Sequence, residues 1–204
     1  DAARDRDRER AVVWYGADAE ASLLIAANRA NVLKGLGRYD EAEQEYRRVI
    51  AAFEHLKDTP GSTETRLIHS FNLLELLNER QRFSEAATLG ESLLAEAETA
   101  LGHDHIVTLE TRDALGVTAL GRGDANAAEA LHRAAFAAKQ KVLGDDSPYT
   151  ATARYRRALA LMKLGRSEEA RVELDAALTT RRTALGPDHP DTKAAERALR
   201  DLRD

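Results

Sequence analysis

The chain has 204 residues, 30 Lys and Arg against 35 Asp and Glu for a net charge of -5, and no cysteine. The absence of cysteine excludes a disulfide framework, thiolate metal ligation and cysteine nucleophiles, while 43% hydrophobic and 32% charged residues describe a folded chain with a core. The acidic balance argues against nucleic-acid and membrane-surface partners, which need clustered uncompensated Lys and Arg, and runs such as Ala11 to Tyr15 and Leu23 to Ala27 are too short to span a bilayer.

The N-terminal stretch Arg4-Asp5-Arg6-Asp7-Arg8-Glu9-Arg10 alternates in sign and reads as a solvated face. It leads into the apolar Ala11 to Tyr15, and Tyr15-Gly16-Ala17-Asp18 repeats later as Leu185-Gly186-Pro187-Asp188. Residues 1–16 therefore take the place of a helix preceding the first complete unit. Either they form a charged capping helix or a frayed tail, with Trp14 anchoring its end on the first repeat, or they belong to a longer array cut inside a repeat. A chain that starts at Asp1 without Met fits a fragment or a processed protein. No secretory leader is visible, and a cytoplasmic location is expected.

From there the chain is periodic. Leu101-Gly102-His103-Asp104-His105 returns at Leu143 and at Leu185, 42 residues apart each time. A second marker ends in Ala42, Ala86, Ala128 and Ala170, at spacings of 44, 42 and 42. The two additional residues are placed in the loop around Lys57 to Ser62. Pro60, Pro148, Pro187 and Pro190 all fall between units, and Gly37, Gly123 and Gly165 mark a turn within them. Each unit is thus helix A, a tight turn, helix B and a longer loop. The predicted hairpins are about 17–58, 61–102, 103–144 and 145–186, within 17–189, followed by a C-terminal capping helix at 190–204. Together they are expected to form one continuous domain.

Apolar residues recur at helical spacing in each unit. The small phase of Ala42, Ala86, Ala128 and Ala170 allows helix B to approach helix A closely. The phase of Ile50, Leu94, Phe136 and Leu178 is expected between units, and that of Leu33, Leu77, Ala119 and Leu161 on the buried face of helix A. Ser147 before Pro148 suits a helix start. Asp40, Glu41, Glu168 and Glu169 open B helices, whereas Lys139, Lys141, Arg181 and Arg182 close them, as the helix dipole favours. No hairpin buries both faces alone, so the expected fold class is an all-α superhelical solenoid of stacked antiparallel helix pairs.

The small phase, the Gly turn before it and the loop Leu185-Gly186-Pro187-Asp188-His189-Pro190-Asp191-Thr192 resemble the tetratricopeptide repeat, in its 42-residue kinesin light chain-like subtype. The paired Asn of that family survives as single Asn28 and Asn72, with Ala114 and Arg156 at the matching phase, and Arg29 and Arg157 occupy a phase usually apolar in it. The resemblance implies a concave groove lined by A helices: Ala27, Asn28, Asn31 and Lys34; Phe71, Asn72, Glu75 and Asn78; Asp113, Val117 and Leu120; Tyr155, Arg156, Leu159 and Met162. Asn amides both donate and accept, so this groove suits a peptide backbone, and Tyr155, Leu159 and Met162 suit an apolar anchor.

Chemical motifs are few. His103-Asp104-His105 has metal-ligand character, but His105 and His189 share a loop phase that is structural in the family. His55, His69 and His132 stand alone and read as packing or surface residues. No phosphate-binding loop or positioned serine nucleophile occurs. The expectation is a non-catalytic scaffold with a protein or peptide partner, no cofactor and no metal, homo-oligomerisation being left open. The alternative is a sensor or oligomerisation arm of a larger signalling regulator.

Overall fold

The computed structural model describes residues 22–54, 56 and 61–202. The expected N-terminal cap, His55 and the long first loop at 57–60 fall outside them. The described elements are all helical: α1 (residues 22–35), α2 (Tyr39–Glu54), α3 (Ser62–Glu79), α4 (Phe83–Leu101), α5 (Ile106–Gly121), α6 (Ala125–Leu143), α7 (Pro148–Lys163), α8 (Ser167–Leu185) and α9 (Pro190–Asp201). Odd-numbered helices are A and even-numbered ones B. The chain forms two compact units, Asp1–Leu76 and Leu77–Asp204.

In the second unit each helix from α4 to α8 packs on its successor, and α5 also meets α7. The alanine phase makes this possible. Ala86, Ala128 and Ala170 are fully buried, so no side chain holds the two helices of a hairpin apart. Leu161, Leu174 and Leu178 fill the space around Ala170 and run on to Ala195, Ala198 and Leu199 of α9. Burying a leucine contributes about 1.5–3 kcal/mol. In the first unit Ala26, Ala27, Val49 and Phe53 form the corresponding cluster between α1 and α2.

The loops before α5, α7 and α9 repeat one pattern of bonds. Gly102, Gly144 and Gly186 have φ of 92°, 82° and 88°, a backbone region costly for other residues. The hydroxyls of Thr108, Thr150 and Thr192 donate to the carbonyls of those glycines, each at 2.8 Å. The A helices are then capped by side chains: His105 Nδ1 accepts from Val107 N–H at 3.3 Å, Ser147 Oγ from Tyr149 N–H at 3.3 Å and His189 Nδ1 from Asp191 N–H at 3.2 Å. These bonds satisfy amides that a helix start leaves unpaired.

The turn within the hairpin has one irregular copy. Gly37, Gly123 and Gly165 have φ between 72° and 85°, but the same position in the second repeat is Gln81, with φ 57°. A side chain there costs about 1–2 kcal/mol per residue. Gln81→Gly should therefore raise stability by about 1 kcal/mol, read as a higher urea midpoint, whereas Gly165→Gln should lower it by a similar amount.

Candidate protein-interaction surface

The side chains expected to line a groove divide into three groups. Asn28 and Asn31 are exposed, and Lys34, Phe71, Asn72 and Glu75 are half-buried. Asn31 is tied within its own hairpin, its Oδ1 accepting from the Tyr46 hydroxyl at 2.5 Å. In the second unit Val117, Tyr155, Arg156, Leu159 and Met162 are half-buried. Tyr155, Leu159 and Met162 rest on the cluster around Leu161, leaving part of each at the surface.

Ala27, Asn78 and Asp113 are placed differently, Ala27 being buried in the cluster between α1 and α2. Asn78 is buried; its amide donates to the Ala114 carbonyl at 3.1 Å, and its Oδ1 accepts from Thr118 at 2.8 Å. Both polar ends of that amide are used inside the unit, where they join α3's last turn to α5. Asp113 is fully buried. Neither offers itself to a ligand.

Asp113 instead centres an ionic cluster drawn from three helices. Its Oδ1 lies 2.6 Å from His132 Nδ1, while Oδ2 accepts from Lys139 Nζ at 3.1 Å and from Arg156 Nη1 at 2.9 Å. Lys139 also reaches Glu110 at 2.8 Å. Burial alone would push the Asp113 pKa up, but Arg156, the His132 hydrogen bond and Lys139 together hold it well below the ordinary carboxylate range. Burial raises that of Glu110, and Lys139 only partly offsets it. Because ionised Asp113 can only accept, Nδ1 of His132 carries the proton, and Nε2 is buried without a hydrogen-bond partner. An aspartate–histidine pair can orient a base for nucleophilic chemistry, but here the second nitrogen has no opening to a substrate. The ring is pressed on the backbone: a Cβ at Gly116 would stand 2.5 Å from His132 Cε1.

His132 is thus neither a surface residue nor an isolated packing one, and Lys139 and Arg181 do more than close their helices. Both cations are buried. Arg181 lies 4.4 Å above the Tyr155 ring and donates to the Asp191 carbonyl at 2.9 Å and to Thr152 at 3.3 Å; burial lowers its pKa. Lys139 and Arg181 are 42 residues apart, as are Asp113 and Tyr155. One geometric position therefore carries a salt bridge in one hairpin and a cation–π contact in the next. The signal in the sequence was a cation recurring at a phase that holds Phe53 and Ala97 in the earlier repeats.

Other charged candidates have local partners. Asp104 accepts from Lys141 at 2.8 Å, and His103 lies 3.4 Å from Glu98. Among the described residues no group of three or more His, Asp or Glu could hold a metal ion, and no helix is long and apolar enough to cross a membrane. A pocket of about 400 Å³ lies among α4, α5 and α6, beside Glu91, Leu115, Arg122 and Leu131, and none of the expected groove residues lines it.

Comparison with known proteins places these features. A model of the tetratricopeptide repeat matches residues 22–56, 108–149 and 150–191. No curated protein sequence matches the chain. Its fold is similar to that of BtubC (BKLC) from P. vanneervenii, with TM-score 0.78 and 16% identity over 97% of this chain and 78% of that one. It is similar also to a Podosopora anserina putative kinesin light chain with nearly identical TPR-like repeats, with TM-score 0.68 and 21% identity over 89% of this chain and 85% of that one. The apo form of RapI matches at TM-score 0.65 and 9% identity, over 89% of this chain and 48% of that one. These likenesses show the fold, an all-α superhelical repeat.

Breaking the cluster has a calculable cost. Asp113→Ala leaves Lys139 and Arg156 without their shared anion and should destabilise the protein by about 3–5 kcal/mol in urea unfolding. Because its pKa is depressed in the fold, the stability that Asp113 contributes is complete above about pH 4 and is lost as the pH falls below that value. Glu110, with a raised pKa, has the opposite sign: its contribution is greatest at low pH and is lost as the pH rises through that raised value. Asp113→Asn should therefore be less stable at pH 7 and show a shallower loss of stability in acid, measured from urea midpoints between about pH 7 and pH 3.

Proposed function

Because this chain belongs to the tetratricopeptide repeat family, a repeat scaffold for protein interaction, we propose that it holds a protein or peptide partner on its A-helix surface without catalysing a reaction. The observation that carries this reading is the partly open apolar surface of α5 and α7, where Val117, Leu159 and Met162 are half-buried. Side chains that keep some apolar area in water while their bases are packed give up that area to a partner at little ordering cost. Arg156 lies on the same helix as Leu159, held by Asp113 at 2.9 Å. That anchoring gives the surface a fixed cation beside its apolar residues.

In the first unit, Asn28, Asn31, Asn72, Lys34, Phe71 and Glu75 provide a more polar surface. Its amides suit peptide groups, which present the same donor and acceptor pair. The two surfaces ask for different things: polar contacts at the first, an apolar anchor at the second.

A second reading, as a sensor or oligomerisation arm of a larger regulator, draws on the match to RapI, where the matched fold occupies 48% of that chain. The size of the native protein on an immunoblot separates the two readings, since an arm requires a polypeptide well above the 22.4 kDa of these 204 residues.

The groove reading is tested by Val117→Asp with Leu159→Asp. Quantitative mass spectrometry of material retained from the native host should show partner capture reduced about tenfold or more, in line with loss of an interface anchor, while helical circular dichroism stays unchanged. Equal capture by the double variant would remove α5 and α7 from the binding surface.

A further inference from the structure

The pocket of about 400 Å³ among α4, α5 and α6 lies where the next repeat fills the same space with its own side chains. There Arg157 of α7 spans from α6 to α8, bound to Glu129 at 2.9 Å and to Glu173 at 2.8 Å. The residues 42 positions earlier are Leu115, Ala87 and Leu131, and all three line the pocket. A leucine cannot bridge two helices as an arginine does. The space that an ionic triad closes between α6 and α8 therefore stays open between α4 and α6.

The mouth departs in the same direction. At three hairpin turns an arginine binds the glutamate three residues on, Arg38 with Glu41, Arg82 with Glu85 and Arg166 with Glu169, at 2.5–2.7 Å. At the turn beside the pocket these positions are Asp124 and Ala127, and Asp124 caps α6 by accepting from Ala127 N–H at 2.9 Å. The floor has no polar group to spare, because the Thr118 hydroxyl is held by Asn78 Oδ1 at 2.8 Å and the Ala114 carbonyl at 3.0 Å. Such walls favour an occupant with an apolar body.

Two charged side chains, Arg122 and Glu91, stand exposed at the rim. Neither has a hydrogen bond or an ion pair among the described residues. They mark opposite ends of the pocket. Arg122 follows Gly121 at the end of α5, where an added Cβ would stand 2.3 Å from Phe83 Cε1, at the first residue of α4. Glu91 comes eight residues after Phe83, about 12 Å further along the α4 axis.

We propose that this pocket binds an extended segment of a protein partner by one apolar side chain, flanked two positions away by an acidic residue that meets Arg122 and, on the other side, by a basic residue that meets Glu91. In an extended chain alternate side chains share a face, and four residues span about 13 Å, which matches the separation of the two rim charges. The partner thus supplies the filling that the chain supplies to itself one repeat later. The site is separate from the surface of Val117, Leu159 and Met162, none of which lines it.

Titration of the isotope-labelled full chain with the blocked peptide acetyl-Ser-Glu-Ser-Leu-Ser-Lys-Ser-amide, to millimolar concentration and followed by NMR, tests this. The amides of Ala87, Ala119 and Ala127 should shift and saturate. Alanine in place of the peptide's leucine should weaken binding about tenfold or more. Lysine in place of its glutamate should weaken binding about two- to fivefold, and Arg122→Glu, at an exposed side chain with no internal partner, should reverse that preference. Ala87→Glu with Leu115→Arg and Leu131→Glu, which copies the triad of α6 to α8, should abolish the saturable shifts while helical circular dichroism stays unchanged. No saturable shift at the three alanines, equal binding of the alanine peptide, unchanged preference in Arg122→Glu or binding that survives in the triple variant overturns the proposal. So do shifts confined to Val117 and Leu159, which place the peptide on the A-helix surface, and saturation by octanoate without response to the peptide, which makes the pocket a site for a small amphiphile.

Discussion

A helical hairpin has two apolar sides and can cover only one of them itself. Its own contact is made at an alanine: Ala42, Ala86, Ala128 and Ala170 are all fully buried, and the closeness they allow leaves the outer side of an A helix to the helices of the neighbouring hairpin, as α5 meets α4 and, through Asn78, the end of α3. The regular loop follows from this need. A B helix must return at a fixed angle to the next A helix, and the left-handed glycine, the buried threonine and the capping side chain hold that angle in the same way at Gly102, Gly144 and Gly186. Among the described residues no neighbour covers the outer side of α1, and Ile25 and Val32 stand exposed there.

Repetition of backbone geometry leaves the chemistry inside each hairpin free to vary. The position that holds Phe53 against Ala27 in the first unit holds Lys139 against Asp113 and then Arg181 against Tyr155 in the second. A buried charge is tolerated only when its partners arrive with it. Asp113 has His132, Lys139 and Arg156, and the flat His132 ring has Gly116, where the next repeat has Ala158 and Leu174 in one apolar cluster. The ionic set ties α5, α6 and α7 together. It also fixes Arg156 on the surface proposed to meet a partner, so the core chemistry of one hairpin sets the orientation of a side chain in the next.

Most of the helical order was legible, because period, glycines and prolines are local signals that carry their own geometry. The groove was legible only by phase. Phase places Val117, Leu159 and Met162 on the A helices, but it also placed Asn78 and Asp113 there, and both are buried. The reason is that burial depends on what arrives from the neighbouring helix: Ala114 and Thr118 for Asn78, and His132, Lys139 and Arg156 for Asp113. His132 and Lys139 looked ordinary because each was read alone, 19 and 26 positions from the aspartate that they hold.

The sequence by itself determined an all-α repeat of 42 residues, its turns, its helix starts and the small phase that lets helices meet, since each of these depends on residues a few positions apart. Tertiary structure decided which polar side chains are spent inside and which remain at the surface. That choice turns on desolvation, and whether a charge can bear it depends on partners brought from two other helices, at distances of 2.6–3.1 Å that no spacing along the chain expresses.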